Sequence, residues 1–412
     1  MISLRERLTR LSDSKAAVAR RASIAAALTL GLSMPLAGVG MADAPTPQSV
    51  RTQDSEQAPA TRLELLRPTG PYAIGRDTLH LVDNDRRDPW MPQAGARELM
   101  VSMYYPARPG TGDSAPYMTT EEARLLLKGL RRDGVIPTET VSTTLTHARA
   151  AARPLPGRFP LVVLSPGFTM PRATLSGLAG DLASRGYVVA TVDHAYESFG
   201  TLFPGGRMLT CAACAPVDAG GDAGYKAAAE GRAKDITFLL DRLTDHRPAW
   251  RHARMIDARR IGAAGHSIGG NSAAQTMATD RRVRAGVNLD GSFYAPVPTS
   301  GLEGRPFLML GTKADHSPGV GSPSWDGDWA RLDGWKRWLT VADSGHLSFT
   351  DLPVLGGQLG LTDPSAPLPG RRSGEITRDY VGAFFDQHLR GIRQPLLDGP
   401  STANPEVEFQ RP

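Results

Sequence analysis

From "FPLVVLSPG" onward, short unbroken apolar runs alternate with helix-patterned segments, and this rhythm is the strongest constraint on the fold. "FPLVVLSPG", "YVVATVDH", "RIGAAGHS", "VRAGVNLDG", "RPFLMLGTKAD" and "RWLTVADSGH" read as strands. "ATLSGLAGDLASRG", "AGYKAAAEGRAKDITFLLDRLTD", "IGGNSAAQTMATD" and "GEITRDYVGAFFDQHLRG" read as helices between and after them. A strand that is apolar at every position must be buried on both faces. Alternation with helices therefore predicts an α/β architecture with a mostly parallel central sheet and helices on both faces. Upstream, "DTLHLVD" and "ARELMVSMYYPAR" read as two further strands. "TTEEARLLLKGLRRDG" carries a capping threonine, early acids and a leucine stripe, and is expected to form a helix of an inserted cap. No internal repeat or second core is visible, so one domain is expected over residues 63–392, with 393–412 as a C-terminal tail.

The N-terminus differs in kind. "MISLRERLTRLSDSKAAVARR" is basic, and "ASIAAALTLGLSMPLAGVGMADA" is apolar and small. The order predicts an export signal over residues 1–42 cleaved after Ala42, which places the mature chain in a secreted or periplasmic location. Arg20 and Arg21 form a twin-arginine pair in surroundings that match a Tat signal weakly, so Sec and Tat export stay open. Residues 43–62 are polar and Pro-rich and read as a disordered linker. The whole chain has 47 Lys and Arg against 42 Asp and Glu. Residues 1–42 hold six of the former and two of the latter, which leaves 41 against 40. That balance gives no argument for nucleic acid or an anionic surface, and no nucleic-acid partner is expected. The two cysteines, Cys211 and Cys214, lie in a Gly- and Pro-rich loop, where an oxidising compartment favours a local disulfide. No metal-ligand cluster, phosphate loop or dinucleotide fingerprint is present, and no cofactor is implied.

Within "RRIGAAGHSIGGNSA" stands G-x-S-x-G, centred on Ser267. In a chain with 44 glycines the bare pattern decides little. Its setting decides more, because a predicted strand precedes the serine and a predicted helix follows it at once. A sharp strand-to-helix turn lifts the serine hydroxyl above the sheet edge, and the helix N-terminus directs positive backbone dipole to the place where an oxyanion would form. Serine needs a base, and the base needs an orienting carboxylate; on such a sheet both follow the serine in chain order. His346, in the loop after the last strand, is the candidate base. His388 lies on the closing helix and reads as a packing residue, and His316 directly follows a strand. Two acids end parallel strands, Asp290 and Asp315, and spacing alone does not choose between them. Backbone N–H groups for an oxyanion are expected from Ile268, after the serine, and from Phe168 in "LSPGFTMPR".

The blocks "SPGFTMPR", "VDHAYES", "GHSIGG", "NLDG" and "SGHLSF" resemble those of the platelet-activating factor acetylhydrolase-like family of α/β-hydrolases (plasma type, lipoprotein-associated phospholipase A2). The similarity runs from about Tyr72 to Gly391. It implies an α/β-hydrolase fold, a Ser267–Asp290–His346 triad in preference to Asp315, and an oxyanion pair at Phe168 and Ile268. Phe349 and Asp351 match the "H-x-x-F-x-D" shape that follows the family's histidine. The chain has "SPG" where the family often has "SHG", and the loop with Cys211 and Cys214 has no counterpart.

The implied activity is serine carboxylic-ester hydrolysis through an acyl-enzyme, on short-acyl phospholipids or related lipid esters, with transient contact with a lipid surface. A general lipase or carboxylesterase, a polyester hydrolase and a non-catalytic binding module of the same fold are the alternatives. Four tryptophans, Trp325, Trp329, Trp335 and Trp338, read either as an apolar lip for such a substrate or as packing. His194 either lines the pocket or bonds a loop. The sequence does not specify oligomeric state.

Overall fold

The structure, a computed structural model, describes residues 62–321 and 325–411. The expected signal, its cleavage point and nearly all of the expected linker lie outside the described residues. The strands are β1 (Ala73–Arg87), β2 (Ala96–Ala107), β3 (Asp113–Ser114), β4 (Ala148–Ala150), β5 (Phe159–Ser165), β6 (Val188–His194), β7 (Thr201–Phe203), β8 (Arg207–Leu209), β9 (Ile256–His266), β10 (Val283–Leu289), β11 (Phe307–Thr312), β12 (Lys336–Val341) and β13 (Val407–Phe409). The main sheet runs β13-β12-β11-β10-β9-β5-β6-β2-β1-β4-β3, and β7 and β8 form a separate ribbon. From β6 through β12 every pairing is parallel. β2 joins antiparallel to β6, and β1 antiparallel to β2. The mostly parallel α/β sheet expected from the apolar rhythm is thus the fold.

The helices are α1 (Thr120–Gly129), α2 (Thr138–Ser142), α3 (Ser176–Ser184), α4 (Cys214–Gly220), α5 (Asp222–Thr244), α6 (Ile268–Thr279), α7 (Lys313–His316), α8 (Asp326–Arg331), α9 (Leu352–Gln358) and α10 (Gly370–Arg390). Successive strand residues point to opposite faces, and each face meets its own helices. Leu161 and Val163 of β5 pack with Ile236, Leu239 and Leu240 of α5 and with Ala273 and Met277 of α6. Val162 and Leu164 pack with Leu178 and Leu182 of α3 and with Ile376, Tyr380 and Phe384 of α10. Two buried faces explain why these strands show no polar alternation.

α1 begins with the expected cap. Thr119 accepts from the Glu122 N–H, and the Glu122 carboxylate accepts from the Thr119 N–H at 2.9 Å. The helix stops at Gly129 and not within the following "RRDG". It packs in its own apolar cluster with Leu63, Leu65, Met170 and Leu355.

One boundary needs correction. Residues 393–411 of the segment expected as a tail, 393–412, are built into the domain. Leu397 is fully buried, and β13 pairs antiparallel with β12 through Leu339–Phe409, Thr340–Glu408 and Val341–Val407. The segment is short and polar, and β13 has only three residues, so its strand pattern is too brief to read. Its role is to cover the β12 edge, which would otherwise offer unpaired backbone groups to another chain. Truncation after Gly391 is therefore expected to remove about 3–5 kcal/mol, from the loss of Leu397 and Val407 burial, and to promote self-association. Chemical denaturation and light scattering check both outcomes.

Candidate active site

The parallel strands end along one rim of the sheet, and the candidate residues sit there. β9 is paired with β5 and β10 so that Gly265 lies opposite both Ser165 and Asn288. Ser267 follows directly and is the N-cap of α6. Its backbone has φ 56° and ψ −125°. A non-glycine residue there is strained by about 1–3 kcal/mol, and the strain is held by surrounding bonds. The Ser267 N–H donates to the Leu289 carbonyl at 2.7 Å, and the Gly270 N–H donates to the Ser267 carbonyl at 2.9 Å. The turn also needs the absence of side chains. A Cβ on Gly269 would lie 2.1 Å from the Ser165 carbonyl oxygen, and one on Gly265 would lie 2.3 Å from the Gly269 carbonyl carbon.

Ser267, His346 and Asp290 are brought together. His346 Nε2 lies 3.0 Å from Ser267 Oγ, and His346 Nδ1 lies 2.6 Å from Asp290 Oδ2. Asp290 is buried, with φ 57°. Burial alone would raise its pKa, but His316, His346 and the Thr312 N–H together hold it below the usual carboxylate range. The Thr312 N–H donates to Asp290 Oδ1 at 2.6 Å. A carboxylate that stays ionised fixes the proton of the partner imidazole on Nδ1 and leaves Nε2 as an acceptor for the serine hydroxyl. The arrangement is therefore able to draw a proton from Ser267.

Asp315 is not brought to His346. It lies in α7, its N–H donates to Thr312 Oγ1 at 3.3 Å, and Thr312 Oγ1 donates back to Asp315 Oδ2 at 3.4 Å. Its carboxylate serves a turn. Phe168 and Ile268 lie in one buried cluster. Ile268 opens α6, so its N–H has no partner within the helix. Gly167 backs onto the turn so closely that a Cβ there would lie 2.7 Å from His266 Nδ1 and 3.5 Å from Ser267 Cβ.

Three residues near the site were not assigned a role there by sequence reasoning. His266 Nε2 donates to the backbone carbonyl of His346 at 2.6 Å, and the two rings lie 4.6 Å apart. Burial and the nearby His346 push the His266 pKa down to about 3, so the ring is neutral and able to hold the loop that carries His346. Its signal was its place beside the serine in G-H-S-I-G. His316 Nε2 approaches Asp290 Oδ1 at 3.5 Å, and its ring stacks on Trp325 at 4.1 Å. Asn288 bonds both the N–H and the carbonyl of Gly291, at 2.9 and 2.8 Å, and shapes the turn that presents Asp290.

The tryptophans are packing residues. Trp325 and Trp338 are buried, and the Trp325 indole donates to the Gly291 carbonyl at 2.7 Å. Trp329 and Trp335 are half-buried, against the core and against Phe384 and His388. Of the two readings, lip or packing, the structure gives packing: a wall behind Asp290 and a face under α10. Burial lowers the His388 pKa to about 4, as suits a packed ring. Cys211 and Cys214 form a disulfide. Among the described residues no group of three or more His, Cys, Asp or Glu is placed to hold a metal ion, and no helix is long and apolar enough to cross a membrane.

The fold and this rim define an α/β-hydrolase with ester-hydrolase chemistry, and the comparisons agree. A family model described as platelet-activating factor acetylhydrolase, isoform II, matches residues 60–203. A probable 1-alkyl-2-acetylglycerophosphocholine esterase from Arthroderma benhamiae is 27% identical over 379 residues, covering 83% of this chain and 92% of that protein. A solved structure of a ferulic acid esterase from Streptomyces cinnamoneus is 44% identical with a TM-score of 0.74, covering 85% of this chain and 100% of that one. The chain is similar to the platelet-activating factor acetylhydrolase family of α/β-hydrolases, and it is a serine ester hydrolase.

Two outcomes follow from the geometry. Gly269→Ala is expected to abolish ester hydrolysis while the purified variant keeps its secondary structure, because the added Cβ displaces the turn from Ser165; activity and circular dichroism check this. Asp351 is buried against the start of α3, where it accepts from the Gly177 N–H at 3.1 Å and from the Tyr117 hydroxyl at 3.4 Å. Burial pushes its pKa up to about 8. The folded state thus keeps a proton that the unfolded state releases near pH 4, and Asp351 lowers stability progressively as pH rises from about 4 to 8. Asp351→Asn is expected to gain stability relative to wild type as pH rises through this window. The gain is at most about 1.4 kcal/mol per pH unit and is read by denaturation at about pH 5 and pH 7.

Proposed function

We propose that Ser267 is the nucleophile of an acyl-enzyme mechanism. The observation that carries this reading is the hydrogen-bond chain from Ser267 through His346 to buried Asp290, at 3.0 and 2.6 Å. His346 takes the serine proton as Oγ attacks the ester carbonyl, and returns it to the leaving alcohol. Asp290 holds the imidazole and balances its charge while the proton is on it. The N–H groups of Phe168 and Ile268 receive the oxyanion. Water then repeats the sequence on the acyl-enzyme. No step calls for a cofactor.

The substrate is a small ester, and two acyl classes have support. Short-acyl glycerophospholipids are supported by the Arthroderma benhamiae relative and by the family model, and such a substrate would bring transient contact with a lipid surface. Esters of planar aromatic acids are supported by the 44% identical ferulic acid esterase and by a feature of the site itself. Phe168 and Ile268 share their cluster with Tyr225, Tyr294, Trp90 and the Cys211–Cys214 disulfide. Phe168 meets Tyr225 edge-on at 5.8 Å, and Tyr225 stacks on Tyr294 at 4.9 Å. Aromatic faces of this kind bind flat π-systems, so the geometry favours the aromatic class. A mature domain beginning near Leu63 and an exported location complete the reading, the latter supported by the N-terminal pattern and by a disulfide of the kind that persists in oxidising compartments.

Wild type is expected to hydrolyse methyl ferulate and short p-nitrophenyl esters, and Ser267→Ala to lose both activities and labelling by an organophosphonate. Asp290→Asn should lower kcat by about 10⁴-fold, whereas Asp315→Asn should stay within about twofold, because its carboxylate serves a turn. An unlabelled wild-type Ser267, or the large loss at Asp315, would overturn the assignment. Parallel assays on methyl ferulate and on 1-alkyl-2-acetylglycerophosphocholine rank the two acyl classes.

A further inference from the structure

Beneath the loop that carries Phe168 lies a second set of polar groups, wholly buried and separate from Ser267. Ser165 Oγ lies 3.0 Å from His194 Nε2, and His194 Nδ1 lies 2.8 Å from Asp235 Oδ2. It copies the order serine, imidazole, carboxylate, but all three residues are buried, so no substrate reaches it. Arg97, also buried, bonds Asp88 at 2.8 Å, Glu197 at 2.8 Å and Asp235 at 2.7 Å. Arg232 bonds Glu197 at 2.7 Å and donates to the carbonyl of Pro166 at 2.5 Å and to Ser165 Oγ at 3.3 Å. Arg86 reaches Asp235 from the surface side at 2.8 Å. Three carboxylates thus face three guanidinium groups.

The donors and acceptors form one consistent order. Burial and the adjacent Arg232 lower the His194 pKa, which favours the neutral ring. With the Nδ1–H donating to Asp235, Nε2 accepts from the Ser165 hydroxyl, and that oxygen in turn accepts from Arg232. The order ends on the backbone of the loop. Arg232 fixes the Pro166 carbonyl, the Thr169 N–H donates to the Glu197 carbonyl at 2.9 Å, and the Phe199 N–H donates to the Thr169 carbonyl at 2.8 Å. Between these anchors the Met170 N–H donates to the Gly167 carbonyl at 3.1 Å. A trans peptide is planar, so fixing the Gly167 carbonyl on one side turns the Phe168 N–H to the other. Thr169 has φ 71°, a strained value for a β-branched residue that only a firmly held loop keeps.

We propose that Arg232, with His194 and Ser165 behind it, is a positioning residue for the oxyanion site: it sets the peptide planes of Pro166–Thr169 so that the Phe168 N–H meets the developing charge. The inference rests on the reading of Phe168 as an oxyanion donor. The network touches no substrate, so its loss acts on the transition state and not on substrate binding.

The test uses Arg232→Lys, which keeps the charge but not the paired donors, and Ser165→Ala, which removes one hydroxyl at little change in volume. Each is assayed on p-nitrophenyl acetate and with an aryl trifluoromethyl ketone, whose serine adduct carries an oxyanion. Arg232→Lys is expected to lower kcat by about 10- to 100-fold, with KM within about twofold, because small misplacement of a catalytic group has effects of this size. The inhibitor should weaken by the same factor. Ser165→Ala should follow in the same direction by about 3- to 10-fold, and carries the test if Arg232→Lys does not fold. Tyr187→Phe, which removes the hydroxyl that donates to Asp386 on α10, serves as control and should lower Tm with kcat intact. Lower Tm with kcat and inhibitor affinity unchanged in both network variants would overturn the proposal. A wild type that the ketone does not inhibit, with Ser267→Ala fully active, would instead remove the reading on which it rests.

Discussion

The close approach of three backbones at the carboxyl rim is the constraint on which the rest of the site depends. β9 runs between β5 and β10, turns at Ser267 and enters α6 within contact of Ser165 and Asn288. No side chain fits between these chains, so Gly265, Gly269 and Gly270 are space requirements. The same approach forces Ser267 into a positive φ and lifts its hydroxyl from the sheet. Sheet, helix and strained serine are one geometric unit. Loosening any part would let the serine relax into an ordinary backbone region and turn away from His346.

Around that turn the site is built from loops that are each tied twice. His346 is held through its ring by Asp290 and through its carbonyl by His266. Asp290 is held by Thr312 and approached by His316, whose ring lies on Trp325. Farther along, Asp351 joins the end of the His346 loop to the first turn of α3. Rigid support of this kind is what preorganised catalysis needs, because donors that are already aimed do not reorganise as charge develops. The buried ions under Pro166 extend the principle to the opposite side of Ser267. Such ions are a weak source of net stability once desolvation is counted, and their directed hydrogen bonds make better sense as a means of fixing a loop.

Much of this was legible in the sequence. Unbroken apolar runs specified the doubly covered parallel sheet, because a residue pattern with no polar side leaves no face for water. Ser267 and His346 were legible from a motif and from chain order. The meeting of the charged residues and His194 under the loop was not. His194, Asp235, Arg97 and Arg232 come from β6, α5 and β2, and no spacing within the chain announces that they meet. β13 was missed for a different reason: three residues are too few for a periodic signal, and its pairing with β12 is a long-range event.

The choice of acid marks the division. Asp290 and Asp315 both end parallel strands and both follow Ser267, so local pattern alone treats them alike. By itself the sequence determined the sheet, its two covered faces, the elbow and the order of the candidate groups, because these follow from hydrophobic periodicity and from where glycine is required. Only the tertiary structure decided which carboxylate faces His346. The Asn288–Gly291 turn presents Asp290 to the imidazole, while the first turn of α7 draws Asp315 onto Thr312. A carboxylate acts over hydrogen-bond distance, and that distance is set by how neighbouring strands register, which chain order does not encode.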